Sequence, residues 1–322
     1  MLIFGLRRIG SMVFVLVSIS ILVFLIFFAT PGADPSARIA GRNASQETLA
    51  QVRESFGLDR PLPVQYGLMM RHLFIDQDLT SFVNRGALVI PQVRAAMPVT
   101  FSLVIGAAVI WVLVGLVMGV IAARWRGTWI DPLIMILGVV GLSLPAYWLG
   151  EMVNLITQNR LHDSVFAWVP PLGYAPLSAG VGQWALHLLF PWLTLSVLYA
   201  GIYARVLRGE MITALKEDYV RTARAKGISE SRILIRHALR CSLIPFVSLF
   251  GLDFGALVGG YALLTEVVFG LQGIGKLTYE SLQNFDLPVI MATVIYAAFF
   301  VVVANAIVDL LYAWLDPRVR YA

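Results

Sequence analysis

The sequence predicts an all-α, polytopic membrane protein with six transmembrane helices. The 322 residues are 59% hydrophobic and only 13% are Asp, Glu, Lys or Arg, whereas soluble domains carry roughly a quarter. Apolar runs recur along the chain, and each is long enough to cross a hydrocarbon core of roughly 30 Å as a helix. The formal net charge of +5 does not indicate nucleic-acid binding, since the basic residues cluster on predicted loops. The single Cys241 cannot form an internal disulfide.

The apolar runs define the predicted spans. They are Ile9–Thr30, Thr100–Ala123, Pro132–Ile156, Trp184–Ala204, Leu243–Phe269 and Pro288–Ala313. The third contains Pro145 and the fourth Pro191, and proline is tolerated in a membrane helix when neighbours satisfy the freed carbonyl. Arg7 and Arg8 before the first run could also mark a signal peptide. No cleavage site of small residues follows, however, so we expect a retained span.

The distribution of basic residues predicts the orientation. Of the 24 Lys and Arg residues, 15 lie at the chain ends and in the loops after the second and fourth spans, nine of them between Arg205 and Arg240. The short loops on the other side hold only Arg160 and Lys276. Because short cytosolic loops carry an excess of Lys and Arg, we expect both termini in the cytosol.

The predicted organisation has four parts. Residues 1–30 form a cytosolic N-terminus and first span, residues 31–98 an extracytoplasmic loop region, residues 99–313 a core with five spans and a cytosolic loop at 205–242, and residues 314–322 a cytosolic tail. In the outer region Leu49, Val52 and Phe56 recur at helical spacing after Ser45, which can cap a helix. We therefore expect this region to fold against the outer mouth of the bundle.

The loop after the fourth span has the most informative pattern. Met211–Lys226 has the spacing of one amphipathic helix, Gly227 can end it, and Ser229 can cap a second short helix before Pro245. Such a basic hairpin could lie on anionic lipid or dock on a protein. The interleaved acidic residues and the small residues at the turn favour a protein partner, with lipid contact as the alternative.

This hairpin resembles the cytoplasmic loop motif of the permease subunits of bacterial ABC importers. Ala223, Gly227 and Leu239 match the general motif. The variant "YVRTARAKG…RHALR…LIP" resembles the peptide/nickel branch, as do "FFATPGADP", "FGLDRPLPVQY", "TEVVFGLQGIGKL" and "LDPRVRYA", in that order over nearly the whole chain. The stretch "DQDLTSF" departs from the branch, whose members usually have a Gly-Asp-Leu-Gly run there.

The resemblance implies a type I ABC importer permease fold in a bacterial inner (plasma) membrane. It implies a non-catalytic subunit that forms half of a translocation pathway, for example for di- or oligopeptides. The partners would be two ATPase subunits that bind ATP and Mg²⁺, a second homologous permease, a substrate-binding protein and membrane lipid. No cofactor, metal site or catalytic site is expected in this chain, which has no Gly-x4-Gly-Lys-Ser/Thr loop. The alternative is an ion-coupled secondary transporter or a channel subunit.

The resemblance further implies that the hairpin is the element that couples to an ATPase. The predicted coupling residues are Leu215, Glu217, Asp218, Tyr219, Arg221, Thr222, Ala223, Arg224, Lys226 and Gly227. Tyr219, Thr222, Ala223 and Gly227 would form the close contact. The charged members would set register and orientation, as charges at the rim of an interface do.

Two features of the fifth predicted span concern packing and the pathway. Gly251, Gly255 and Gly259 recur every four residues, and small residues at this spacing let helices pack closely in lipid. Their partner could be a second permease or this chain itself. Asp253 is a candidate to line the pathway, because intramembrane carboxylates usually face a cavity or a partner. For Glu266 we expect structural pairing or a place near a helix end.

Overall fold

The computed structural model of the protein describes residues 2–28, 36, 45–81, 83–84, 86–160 and 162–315. Within these residues the helices are α1 (Leu2–Phe28), α2 (Gln46–Phe56), α3 (Leu62–Arg71), α4 (Val89–Arg124), α5 (Ile130–Ser143), α6 (Ala146–Leu155), α7 (Val181–Ala214), α8 (Asp218–Ala225), α9 (Glu230–Tyr261), α10 (Leu263–Val268), α11 (Ile274–Asn284) and α12 (Leu287–Leu315). Helix α9 combines α-helical and π-helical segments, and π-helical turns extend α3 over His72–Asp76 and α6 over Ile156–Arg160. A 3-10 turn at Leu177–Ala179 precedes α7.

The strands of the described residues form one short antiparallel pair. In it β1 (Thr80–Ser81) lies beside β2 (Ala87–Leu88), with Thr80 opposite Leu88. The fold is otherwise helical where the structure describes it, which confirms the predicted all-α class.

Five helices of the described chain are long and apolar enough to cross a membrane. The qualifying segments are Arg7–Ile26, Val89–Arg124, Val181–Ala214, Glu230–Tyr261 and Leu287–Val308. Helices α5 and α6 also qualify as a pair, but they meet at an angle of 89°. The six predicted spans are reached when this bent pair counts as one crossing.

The third predicted span, Pro132–Ile156, is not one continuous helix. The helix stops at Ser143, and Leu144 has an extended backbone with φ −83° and ψ 122° before α6 resumes after Pro145. Proline disfavours helical backbone at the residue before it, which accounts for the break. Prolines 98, 191 and 245, in contrast, lie inside α4, α7 and α9.

The predicted hairpin helices also need correction. Met211–Lys226 is not one helix, because α7 ends at Ala214 and Glu217 is extended with φ −65° and ψ 152° before α8 begins. The second helix does not stop before Pro245. It continues as α9 to Tyr261, and the chain turns at Gly260, whose φ is 111°.

The structure divides into two compact units. The first comprises Met1–Phe101, Gly255–Val267 and Leu271–Ala306, and the second Ser102–Phe254, Val268–Gly270 and Ile307–Ala322. This division differs from the four parts predicted from the sequence, which remain a prediction about membrane sidedness. Residues 29–30 of the predicted first part, residues 31–35, 37–44, 82 and 85 of the predicted outer region, and residues 316–322 of the predicted tail lie outside the described residues.

The helix predicted in the outer region is confirmed within the first unit. Ser45 caps α2, since its Oγ accepts a hydrogen bond of 3.1 Å from the Thr48 N–H. Val52 and Phe56 are buried in a core to which α1 and α12 also contribute. The periodic apolar residues of the outer region therefore serve to pack it on membrane helices.

Candidate functional site

The hairpin, defined as residues 215–233, consists of α8 and the turns on either side of it. Gly227 has φ +74°, in the left-handed region that glycine enters without steric cost. The Ile228 N–H donates to the Ala223 carbonyl at 3.2 Å, which closes the last turn of the helix. The predicted role of Gly227 as the residue that ends the first hairpin helix is thus confirmed.

A small apolar cluster holds the hairpin together. Val220 and Ile233 are fully buried and Ala223 is 7% exposed, with Leu215 and Ile228 packed against them. Burying a side chain of the size of valine or isoleucine contributes roughly 1.5–3 kcal/mol. The Ala223 side chain packs inside the hairpin, and its contact with a partner stays a prediction. Val220, at the centre of this cluster, was not among the residues singled out from the sequence.

The remaining predicted coupling residues form the outer surface of the hairpin. Leu215 is half-buried, and the exposed members are Glu217, Asp218, Tyr219, Arg221, Thr222, Arg224, Lys226 and Gly227. Tyr219 is the large apolar one among them, at 40% exposed. Burial and the neighbouring Cys241 raise the pKa of Tyr219 to about 12, so its hydroxyl stays neutral. The structure thus brings a polar surface with one aromatic ring onto a short, internally packed helix.

One ion pair of the hairpin joins α8 to the start of α9, and another lies within α8. Arg224 Nε lies 2.7 Å from Glu230 Oε1 and its Nη2 lies 3.2 Å from Oε2, a forked pair between α8 and the start of α9. Arg221 Nη1 lies 3.7 Å from Asp218 Oδ1 within α8. Exposed pairs contribute little to stability, typically below about 1 kcal/mol. The forked geometry nevertheless fixes the orientation of α8 relative to the start of α9.

A buried ion pair lies near the end of α7, in the same unit as the hairpin. Arg208 Nε is 2.5 Å from Asp131 Oδ1 and Arg208 Nη2 is 2.6 Å from Asp131 Oδ2. The Asp131 side chain is 8% exposed and that of Arg208 27%. Farther along the same pair of helices, a Cβ added at Gly138 would lie 3.0 Å from the Gly201 Cα. Helices α5 and α7 are therefore closely packed and are joined by an ion pair. The sequence did not predict this contact.

The glycines of α9 pack against the last helix of the same chain. A Cβ at Gly255 would lie 2.5 Å from the Ala304 Cβ, and one at Gly259 would lie 3.2 Å from the Ala297 carbonyl oxygen. Gly251 likewise faces Val308. The close packing that the spacing predicts is found within this chain, which was the alternative left open. Contact of these glycines with a second permease stays a prediction.

Asp253 lies in an aromatic environment. The Tyr203 hydroxyl donates to Asp253 Oδ2 at 2.8 Å, and the Tyr203 ring packs 5.0 Å from Phe246 and 6.2 Å from Trp111 between centroids. Asp253 is half-buried, and no basic side chain of the described residues forms an ion pair with it. That Asp253 lines a pathway remains a prediction, now with a named structural partner.

Glu266 has the structural role that the sequence predicts. Thr100 Oγ1 donates to Glu266 Oε1 at 2.6 Å, and the Lys276 N–H donates to Oε2 at 2.9 Å. Thr100 Oγ1 also accepts from the Ile274 N–H at 2.8 Å. The fully buried carboxylate thus lies at the N-terminus of α11, where the helix dipole favours negative charge.

One cluster of the described residues has side chains of the types that bind metal ions. His72, Asp76 and Asp78 place their ligand-type atoms within 4.8 Å of one another. His72 Nδ1 is hydrogen-bonded to Asp78 Oδ1 at 2.7 Å, and Arg71 Nε donates to Asp76 Oδ2 at 2.9 Å. The bond to His72 lowers the pKa of Asp78 below its ordinary value. These partners account for the cluster without an ion.

Comparisons with known proteins give a consistent result over the whole chain. Residues 115–321 match the family described as "Binding-protein-dependent transport system inner membrane component". Residues 1–104 match the family that describes the N-terminal part of such membrane components. Together these matches cover both the predicted core and the predicted outer region.

Individual relatives are similar from end to end. A protein of Brucella abortus strain 2308 that is named as a peptide transport system permease is 36% identical over 316 residues, which cover 98% of each chain. A protein of Escherichia coli K12 that is named as a D,D-dipeptide transport system permease is 36% identical over 329 residues, which cover 97% of this chain and 96% of that one. The glutathione transport system permease of Salmonella paratyphi A is 37% identical over 321 residues, 100% of both.

Proposed function

This chain belongs to the family of inner membrane components of binding-protein-dependent transport systems, and on that premise we propose that its hairpin couples it to an ATPase. It is a multi-pass membrane permease of an ABC importer for peptide-like solutes. The coupling element, the partner subunits and the membrane sidedness are parts of the proposal. A di- or oligopeptide is the proposed solute, because the relatives are named for peptides, a D,D-dipeptide and glutathione, which is a tripeptide.

The surface of the hairpin is the observation that carries the proposal. Helix α8 exposes Tyr219 and Thr222 among charges, while Val220 and Ile233 anchor it from inside. A lipid-bound amphipathic helix would instead expose its apolar face to the bilayer. Here that face is already buried within the hairpin. The exposed face is polar with one aromatic ring, a composition that suits a protein partner.

The packing of α7 supports transmission of motion from the hairpin. Helix α7 has 34 residues and is therefore about 51 Å long at 1.5 Å per residue. It ends immediately before the hairpin, and Arg208 pins it to Asp131 of α5. Closure of ATPase subunits on ATP would displace the hairpin and move α7 together with α5. The result is an equilibrium between two access states that is biased by a ligand bound elsewhere.

The proposed assembly supplies what one chain lacks. One permease has one hairpin of this kind, so a second homologous permease would complete the pathway and dock on the other ATPase. ATP and Mg²⁺ would bind to the ATPase subunits. Both termini would lie in the cytosol with the hairpin. A substrate-binding protein would deliver the solute on the opposite side.

A matched pair of threonine variants tests the docking. Thr222 and Thr213 are both exposed, and each hydroxyl donates to the carbonyl four residues earlier, at 3.0 Å and 3.2 Å. Thr222→Trp adds bulk to the outer surface of α8 and should abolish co-purification of the ATPase subunits and peptide uptake. Thr213→Trp loses the same bond on α7 and should preserve both. Normal assembly of the Thr222→Trp complex would refute the docking role.

The alternative of an ion-coupled transporter is tested by the energy source. Proteoliposomes that contain the complete complex should accumulate peptide only with ATP. Accumulation driven by an ion gradient without ATPase subunits would favour the secondary transporter instead.

A further inference from the structure

Three arginines form a stripe along the first part of α9. The arginine stripe consists of Arg232, Arg236 and Arg240, which are spaced four residues apart and are all exposed. Residues four apart lie on the same face of a helix. Ile235, on the neighbouring turn, is also 62% exposed. The stripe therefore presents three guanidinium groups beside an apolar side chain.

The arginines of the stripe differ from those of α8 in whether carboxylates pair with them. Arg221 and Arg224 of α8 are paired with Asp218 and Glu230. None of the three stripe arginines forms an ion pair with a carboxylate of the described residues. The chain thus neutralises the basic residues of α8 internally and leaves those of the stripe available for an external anion.

The length of α9 places the stripe at the membrane surface. Helix α9 has 32 residues, about 48 Å at 1.5 Å per residue, whereas the hydrocarbon core needs only about 20 residues. Counted back from Tyr261, the core ends near Ser242. Arg240 then lies just outside the hydrocarbon and Arg236 about 6 Å farther, near a headgroup layer of roughly 5–8 Å. Long arginine side chains can also reach back toward the headgroups.

We propose that the arginine stripe binds the phosphate groups of anionic lipids in the leaflet that α9 enters. A guanidinium group matches a phosphate with two parallel hydrogen bonds, and the leaflet supplies phosphates at the height of Arg240 and within side-chain reach of Arg236. Helix α8 and the start of α9 then have different partners: α8 faces a protein, and the start of α9 faces lipid. This assignment does not depend on ATPase docking.

The test compares two double variants that each remove two positive charges, one from the stripe and one from α8. Arg236→Gln/Arg240→Gln removes two stripe arginines, and Arg221→Gln/Arg224→Gln removes the two paired arginines of α8. The full-length chain, purified in mild detergent, is titrated with phosphatidylglycerol or phosphatidylcholine, and native mass spectrometry gives the affinity for each lipid. A basic residue near an anionic membrane surface contributes about fivefold. We therefore expect the stripe variant to lose at least about tenfold of the preference for phosphatidylglycerol.

The outcomes separate the candidate partners. Wild type and the α8 variant should both retain the preference, and Arg236→Lys/Arg240→Lys should retain part of it, since charge remains without the fork. Circular dichroism checks that every variant keeps its helix content. An unchanged preference in the stripe variant, or an equal loss in both glutamine variants, overturns the proposal. Loss of ATPase co-purification in the stripe variant, with lipid preference unchanged, would assign the stripe to the protein partner instead.

Discussion

Arg208 and Asp131 form a forked ion pair that joins the end of α7 to the beginning of α5, with both oxygen–nitrogen distances at or below 2.6 Å. The Asp131 side chain is 8% exposed and that of Arg208 27%, so the carboxylate is the buried member of the pair. Removal of one member of a buried pair leaves an uncompensated charge, whereas replacement of both by apolar residues need not. The single substitution should therefore destabilise the protein more than the double substitution.

The first prediction concerns this pair. Arg208→Met should destabilise the protein by about 3 kcal/mol, because it leaves Asp131 buried and unpaired. Asp131→Leu/Arg208→Met should recover most of the loss. Thermal unfolding of the detergent-solubilised protein measures both. If the double variant proves as unstable as the single one, desolvation of the lone carboxylate is not the cause.

The second prediction concerns Thr100. Thr100→Val removes the donor to Glu266 and the acceptor for the Ile274 N–H, and both remaining groups are buried. Each unsatisfied buried group costs about 1–3 kcal/mol, so we expect a loss of about 2–6 kcal/mol in unfolding free energy for the two groups. Thr293→Val is the matched control, since Thr293 is 1% exposed but its hydroxyl bonds only to the Ile290 carbonyl at 3.0 Å. Equal destabilisation by the two variants would contradict the role of Thr100.

The third prediction concerns helix packing at Gly255. Gly255→Val should destabilise the protein by about 1–3 kcal/mol, because the added side chain overlaps Ala304 of α12. Gly209→Ala in α7 is the control, since a Cβ there meets no atom within 4 Å. That variant should be neutral or more stable by about 0.5–1 kcal/mol, as alanine favours helix. Chemical unfolding with a helix-sensitive signal distinguishes the two.

The fourth prediction concerns Asp253. Asp253→Asn keeps the shape of the side chain and removes its charge, so complex assembly should be normal while peptide uptake changes in rate or solute range. Tyr203→Phe, which removes the hydroxyl that donates to Asp253, separates loss of the hydrogen bond from loss of charge. Unchanged uptake and solute range in Asp253→Asn would exclude Asp253 from the pathway.

The sequence predicted those features that depend on local signals. Apolar runs located the membrane helices, Ser45 and Gly227 marked helix ends, and the periodic Leu49, Val52 and Phe56 marked α2. These signals act within a few residues of one another. The resemblance to the family could also be recognised from the sequence, because each of the quoted motifs is a short run of residues.

The features that the sequence did not predict depend on contacts between distant residues. Nothing near Asp131 specifies that Arg208 rather than another basic residue will pair with it, and Thr100 and Glu266 are 166 residues apart. The hairpin was read with α8 joined to α7, because helical period alone does not detect the extended Glu217. The sequence also did not show which proline would break its helix. The helix is broken at Pro145, whereas prolines 98, 191 and 245 lie inside helices.

The break at Pro145 has a consequence for what surrounds the protein there. Where one helix stops and another starts, several carbonyl and amide groups lose their partners along the helix. Acyl chains offer no hydrogen bonds, so non-helical backbone at membrane depth occurs only beside polypeptide or water. Counted as one crossing, α5 and α6 cannot present their junction to bare hydrocarbon. The corner therefore marks a flank of the protein that is shielded from the bilayer, either by a neighbouring chain or by a hydrated recess.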